Sequence, residues 1–134
     1  MARRVALVVL AFNGFFAGAW AAFAPRQFYD SFPGAGHHWV AVDGPYNEHL
    51  VRDAGAFFLA LGVLALVAAV IGSRDWSIAA SVSWLVFSVP HLVYHARHLH
   101  HMGTGDAVGE MIALAIPIVA AVVVLLTLPR RALS

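Results

Sequence analysis

The sequence predicts an all-α integral membrane protein, a four-helix bundle with an interfacial loop between its first and second helices. Three observations carry this. Hydrophobic residues make up 61% of the 134-residue chain and charged residues only 11%, with a mean hydropathy of +0.79. Soluble domains hold roughly 45–50% apolar and about 25% charged residues, and a chain this short cannot hide such an excess from water. The apolar residues gather into four runs, each long enough to cross about 30 Å of hydrocarbon as a helix. Proline, glycine and charged residues stand between the runs, where helices end or turn.

The first span is read at 5–24. Arg3 and Arg4 precede it and Ala22-Phe23-Ala24 closes it, a pattern shared with cleaved signal peptides. Pro25 would follow the cut, where the peptidase accepts proline poorly, so a retained helix is expected. Gly14 and Gly18 offer a small-xxx-small step for a neighbouring helix. From Pro25 to Glu48 aromatic and polar residues alternate with Pro33, Gly34, Gly36, Gly44 and Pro45, as in chain lying over the end of a bundle at the interface. The second span is read at 50–72, with Gly55 and Gly62 as close-packing points. Ser73-Arg74-Asp75 is so short a link that the third span, 76–97, must return antiparallel beside it. Pro90 should bend that helix by removing a backbone hydrogen bond. Gly103-Thr104-Gly105 breaks the chain, Asp106 is placed to cap the fourth span, 107–128, and Gly105, Gly109 and Ala113 give it a small-residue seam.

Four spans put both termini on one side, with Arg3, Arg4, Arg74, Arg130 and Arg131. The other side holds Arg26, Arg52 and Arg97. The excess of arginine places the termini in the cytoplasm and the chain in the inner (plasma) membrane. All 8 histidines and all acids but Asp75 then fall on the opposite side. The net charge of +1, without a basic tract, argues against nucleic acid. The absence of cysteine excludes disulfides, thiolate metal sites and thiol nucleophiles.

The chemistry concentrates in Pro90-His91-Leu92-Val93-Tyr94-His95-Ala96-Arg97-His98-Leu99-His100-His101-Met102. At about 100° per residue, His91, His95 and His98 share one helical face and His100 points away. His91 and His98 stand about 10 Å apart along a helix axis, so one ion can use His91 with His95, or His95 with His98, but not all three. Further ligands must come from neighbouring helices. His49 and Asp53 form an i, i+4 pair at the start of the second span, and Asp106 and Glu110 another at the start of the fourth. The expected metal ligands are therefore His91, His95, His98, His49, Asp53 and Glu110. A sulfur-free donor set of this kind suits zinc, iron, manganese or copper. A haem between histidines of facing helices is a further expectation. His100 and His101, and His37 and His38, are read as loop surface, with the last two able to fold over the site. The HxxHH boxes of membrane di-iron enzymes are absent, as are G-x-S-x-G, P-loop and G-x-G-x-x-G motifs. The inner halves of the spans are Ala, Val and Leu, which excludes a continuous polar pore.

In its length, its four spans and the opening of its second helix, Gly44-Pro45-Tyr46-Asn47-Glu48-His49-Leu50-Val51-Arg52-Asp53-Ala54-Gly55-Ala56-Phe57-Phe58, the chain resembles the small DoxX-like bacterial membrane proteins. That resemblance implies a four-helix protein, some of whose relatives attach to quinone-linked redox systems, and it carries no site residue to this chain. Three functions follow from the residues. The first is a redox-associated protein binding a transition metal or haem at its outer half. The second is a structural or accessory subunit, lodged in the lipid bilayer as a homo-oligomer or within a larger membrane complex. The third is an enzyme acting on a lipid or quinone with histidine as acid or base.

Overall fold

A computed structural model describes residues 1–129; Arg130 and Arg131, which entered the charge argument, lie outside the described residues. The described chain is helical without strands. The four long helices are α1 (Ala2–Phe23), α3 (Glu48–Ile71), α4 (Arg74–Ala96) and α5 (Thr104–Leu126), with a short α2 (Pro25–Ser31) after the first. All four are long and apolar enough to cross a membrane. Each begins two or three residues before the apolar run that signalled it, because a polar first turn belongs to the helix although hydropathy does not mark it.

The termini of the helices explain the short link. Gly72 closes α3 in the left-handed region, at φ 72°, which glycine enters without strain. Ser73 then caps α4 at once, its Oγ accepting from the Trp76 backbone N–H at 3.3 Å. Asn47 caps α3 in the same way through Leu50 at 3.1 Å. The helices run up, down, up and down in a closed ring in which α1 meets α3 and α5, and α4 meets the same two.

Packing is closest between α1 and α3. A Cβ placed on Gly14 would lie 2.6 Å from Gly62 Cα, and one on Gly18 would lie 2.7 Å from the Leu59 nitrogen, so both small-residue positions are required by backbone approach. Gly55 is held equally tightly against Ala22. The interior is otherwise built from Leu7, Leu10, Ala65, Ala68, Ala80, Ala121 and Val124 around a fully buried Trp84, whose indole N–H donates to the Leu61 carbonyl at 3.2 Å. Phe12, Phe57, Val70, Val86, Ile112 and Val119 stay exposed on the outer faces. That surface requires a lipid bilayer as its solvent.

Between α1 and α3, helix α2 and the loop after it fold back over one end of the bundle. An aromatic chain holds them there: Trp20 meets Phe28 and Phe32 edge-on at about 6 Å between centroids, and Phe32 meets Trp39. The Trp39 indole lies over Gly109, where a Cβ would come within 3.1 Å of the ring. Gly109 therefore receives the loop and not a neighbouring helix, while Gly105, expected in the same seam, faces open space. The loop matters because it delivers a carboxylate.

Candidate functional site

The loop end of the bundle carries the histidines, and the helices sort them. α4 presents a buried inner stripe of Ser77, Ala80, Ser81, Trp84 and Ser88. His91 and His95 continue it towards the loop, each one turn beyond the last. The two rings meet edge to face at 4.6 Å. His91 is further enclosed by Phe87, stacked at 5.2 Å, and by Phe58 from α3. Across from them α5 turns Glu110 inward. This carboxylate is 5% exposed within a membrane-spanning helix, a placement that demands a partner. It has one. Glu110 Oε1 lies 3.0 Å from His95 Nδ1.

A second carboxylate arrives from the loop. Asp43 Oδ2 stands 3.4 Å from the same His95 Nδ1, with 24% of its side chain exposed. The loop holds it there by local geometry. The Tyr29 hydroxyl donates to the Gly44 carbonyl at 2.6 Å, the Asp43 N–H donates to the Val40 carbonyl at 3.2 Å, and the Trp39 indole N–H donates to Asp106 at 3.0 Å. Burial raises the Asp43 carboxyl above the usual carboxylate range; His95, His98 and His101 draw it back and Glu110 pushes it further up. The result is one imidazole between two acids, both of which approach Nδ1.

Of the six expected ligands, the structure brings His91, His95 and Glu110 together. His98 leaves the stripe because α4 ends at Ala96: the His98 N–H donates to the His95 carbonyl in a tightened last turn. Its ring stacks on Tyr94 at 4.2 Å and its Nδ1–H donates to the Tyr94 carbonyl at 2.7 Å. His49 and Asp53 pair with each other at 3.3 Å on the outer face, with side chains 87% and 53% exposed. The inward positions of α3 include Val51 and Gly55. His49 and Asp53 each sit two residues from Val51, about 200° round the helix, and so face away. Asp106, expected as a helix cap, instead binds the loop through Trp39 and through His37 Nδ1 at 2.5 Å, and α5 starts at Thr104 without a side-chain cap. His37 thus folds over the bundle end, but beside Asp106 and not over His91.

Sequence reasoning missed Asp43. Its signal was an acid placed between the apolar Val40-Ala41-Val42 and Gly44-Pro45, inside a loop already expected to cover the bundle end. Hydropathy cannot say over which helices such a loop comes to rest.

Among the described residues no three His, Asp or Glu side chains are disposed to hold one ion. His95 directs the same nitrogen, Nδ1, at both carboxylates. What the geometry suits is proton exchange. A histidine changes charge near neutral pH, and the two flanking carboxylates fix its ring.

No family profile matches this chain, and neither a curated protein nor a solved structure is significantly similar to it.

Proposed function

We propose that this multi-pass membrane protein exchanges a proton with a lipid-soluble ligand at the loop end of its bundle. His95 is the acid–base group, and Glu110 and Asp43 orient it and balance its charge. The observation that carries this reading is the buried Glu110, turned from a membrane-spanning helix onto His95 at 3.0 Å. An ionisable pair so placed is expensive to keep among apolar helices and marks a functional position. The ligand class follows from the surroundings. Phe58 and Phe87 enclose the His91 ring, which meets His95, and this aromatic flank suits a flat ring that carries a titratable oxygen. A quinone or quinol has that chemistry, and the resemblance to DoxX-like proteins points the same way.

The test is a titration of the protein in lipid nanodiscs with a short-chain ubiquinone and its quinol, followed by intrinsic fluorescence across pH. Saturable, pH-dependent binding that weakens in His95→Gln and persists in His49→Gln supports the reading. Binding that is absent, or indifferent to both pH and His95, contradicts it. A parallel titration with zinc(II) tests the metal reading on the same samples.

A further inference from the structure

The opposite end of the bundle carries a second polar feature, unconnected to the histidine site. A cavity of about 780 Å³ opens there between the start of α1 and the end of α3. Its walls include Leu7, Val8 and Val9 on one side and Ala68, Ala69 and Val70 on the other, and Arg3 and Arg4 border its mouth. Arg3 is half-committed. Its Nη2 donates to the Gly72 carbonyl at 2.8 Å, while its Nη1 is buried without a hydrogen-bond partner. A guanidinium nitrogen in that state lacks an acceptor it strongly prefers to have. No carboxylate among the described residues lies within ion-pair distance of Arg3 or Arg4, and the first turn of α1 carries no acid. Among the described residues the other arginine of this end, Arg74, already donates to the Pro129 carbonyl at 3.2 Å.

We infer that this cavity binds the phosphate head of an anionic phospholipid, with Arg3 and Arg4 holding the phosphate and an acyl chain lying along α1 and α3. Two arginines at the edge of an apolar cleft match both halves of such a molecule. The planar guanidinium meets phosphate oxygens through charge-assisted hydrogen bonds, and the walls accept hydrocarbon. A free phosphate ion would satisfy the arginines and leave the apolar walls uncovered. Gly72 contributes through its carbonyl, which fixes one edge of the Arg3 guanidinium and leaves the other for the ligand.

The experiment is native mass spectrometry of the detergent-solubilised protein titrated with phosphatidylglycerol and, separately, with phosphatidylcholine. Retention of one phosphatidylglycerol in preference to phosphatidylcholine is expected, weakened about tenfold in Arg3→Gln and unchanged in Arg74→Gln. Arg4→Gln, at an exposed position, gives the same direction of change should Arg3→Gln fail to fold. Equal retention of both lipids, or equal losses in the Arg3 and Arg74 variants, overturns the inference, since either would mean diffuse attraction to a charged surface. Displacement of the bound lipid by millimolar inorganic phosphate overturns the lipid assignment.

Discussion

His95 Nδ1 and Glu110 Oε1 stand 3.0 Å apart with their side chains 14% and 6% exposed, and Asp43 approaches the same nitrogen at 3.4 Å. The three groups therefore form one electrostatic unit in which removing any member leaves a different remainder. His95→Ala leaves two carboxylates without a cation. Glu110→Gln leaves His95 with Asp43. We expect His95→Ala to cost about 3 kcal/mol, as breaking a buried pair does, and Glu110→Gln distinctly less. Reversible denaturant unfolding in detergent micelles measures both. The double variant His95→Leu/Glu110→Leu is expected to recover most of the loss while abolishing proton exchange, which separates stability from function.

Asp43 gives a pH dependence of defined sign. Burial raises its carboxyl, so the folded state holds the proton at a higher pH than the unfolded chain does. Its contribution to stability is fully present below the unfolded carboxylate value and is lost as pH rises through the raised folded one. Asp43→Asn removes that dependence, and its stability relative to wild type should climb across that window and then level off. Carbon-detected NMR of the Asp43 carboxyl supplies the direct check. The titration moves further up in His95→Ala, which deletes an attraction, and back down in Glu110→Gln, which deletes a repulsion.

The fold was legible in the sequence because lipid imposes length, and length is visible. Gly14, Gly18, Gly55 and Gly62 were each legible as close-packing points, because small residues permit helix approach, but which of them meet was not. Half of the site was legible as well, since His91, His95 and Glu110 lie on inward faces set by helical periodicity. Periodicity failed where the helix stopped, at His98. It could not rank the two faces of an amphipathic first turn, as at His49 and Asp53. It said nothing of Asp43, whose position depends on Trp39 finding Asp106 and Gly109 across the bundle.

The glycines yield a contrast within one protein. Gly14→Leu must push α1 off α3 against the Gly62 backbone and is expected to destabilise by at least about 3 kcal/mol, the upper range of overpacking. Gly105→Ala meets open space in the first turn of α5 and should gain up to about 1 kcal/mol from helix propensity. Thermal unfolding of the two variants side by side tests whether the structure distinguishes these positions correctly.

The loop should open from a distance. Gly109→Val places methyl groups where the Trp39 ring lies and displaces it, releasing the Trp39–Asp106 hydrogen bond and with it Asp43. Hydrogen exchange over residues 34–46 is expected to accelerate, while the helices α1 and α3 keep their protection. Unchanged exchange in this variant would mean that the loop is held without Trp39.

His49 and Asp53 serve as the negative control. An exposed i, i+4 pair contributes less than about 1 kcal/mol, so His49→Ala and Asp53→Ala should leave both stability and proton exchange as in wild type.

The central claim, that His95, Glu110 and Asp43 exchange a proton as one unit, is tested most directly by pH-difference infrared spectroscopy of the protein in lipid. The account predicts carboxyl and imidazole bands that titrate together, with the carboxyl band of Glu110 lost in Glu110→Gln and the imidazole transition shifted in the same sample. Carboxyl and imidazole bands that titrate independently, with the imidazole transition unmoved by Glu110→Gln, would contradict it.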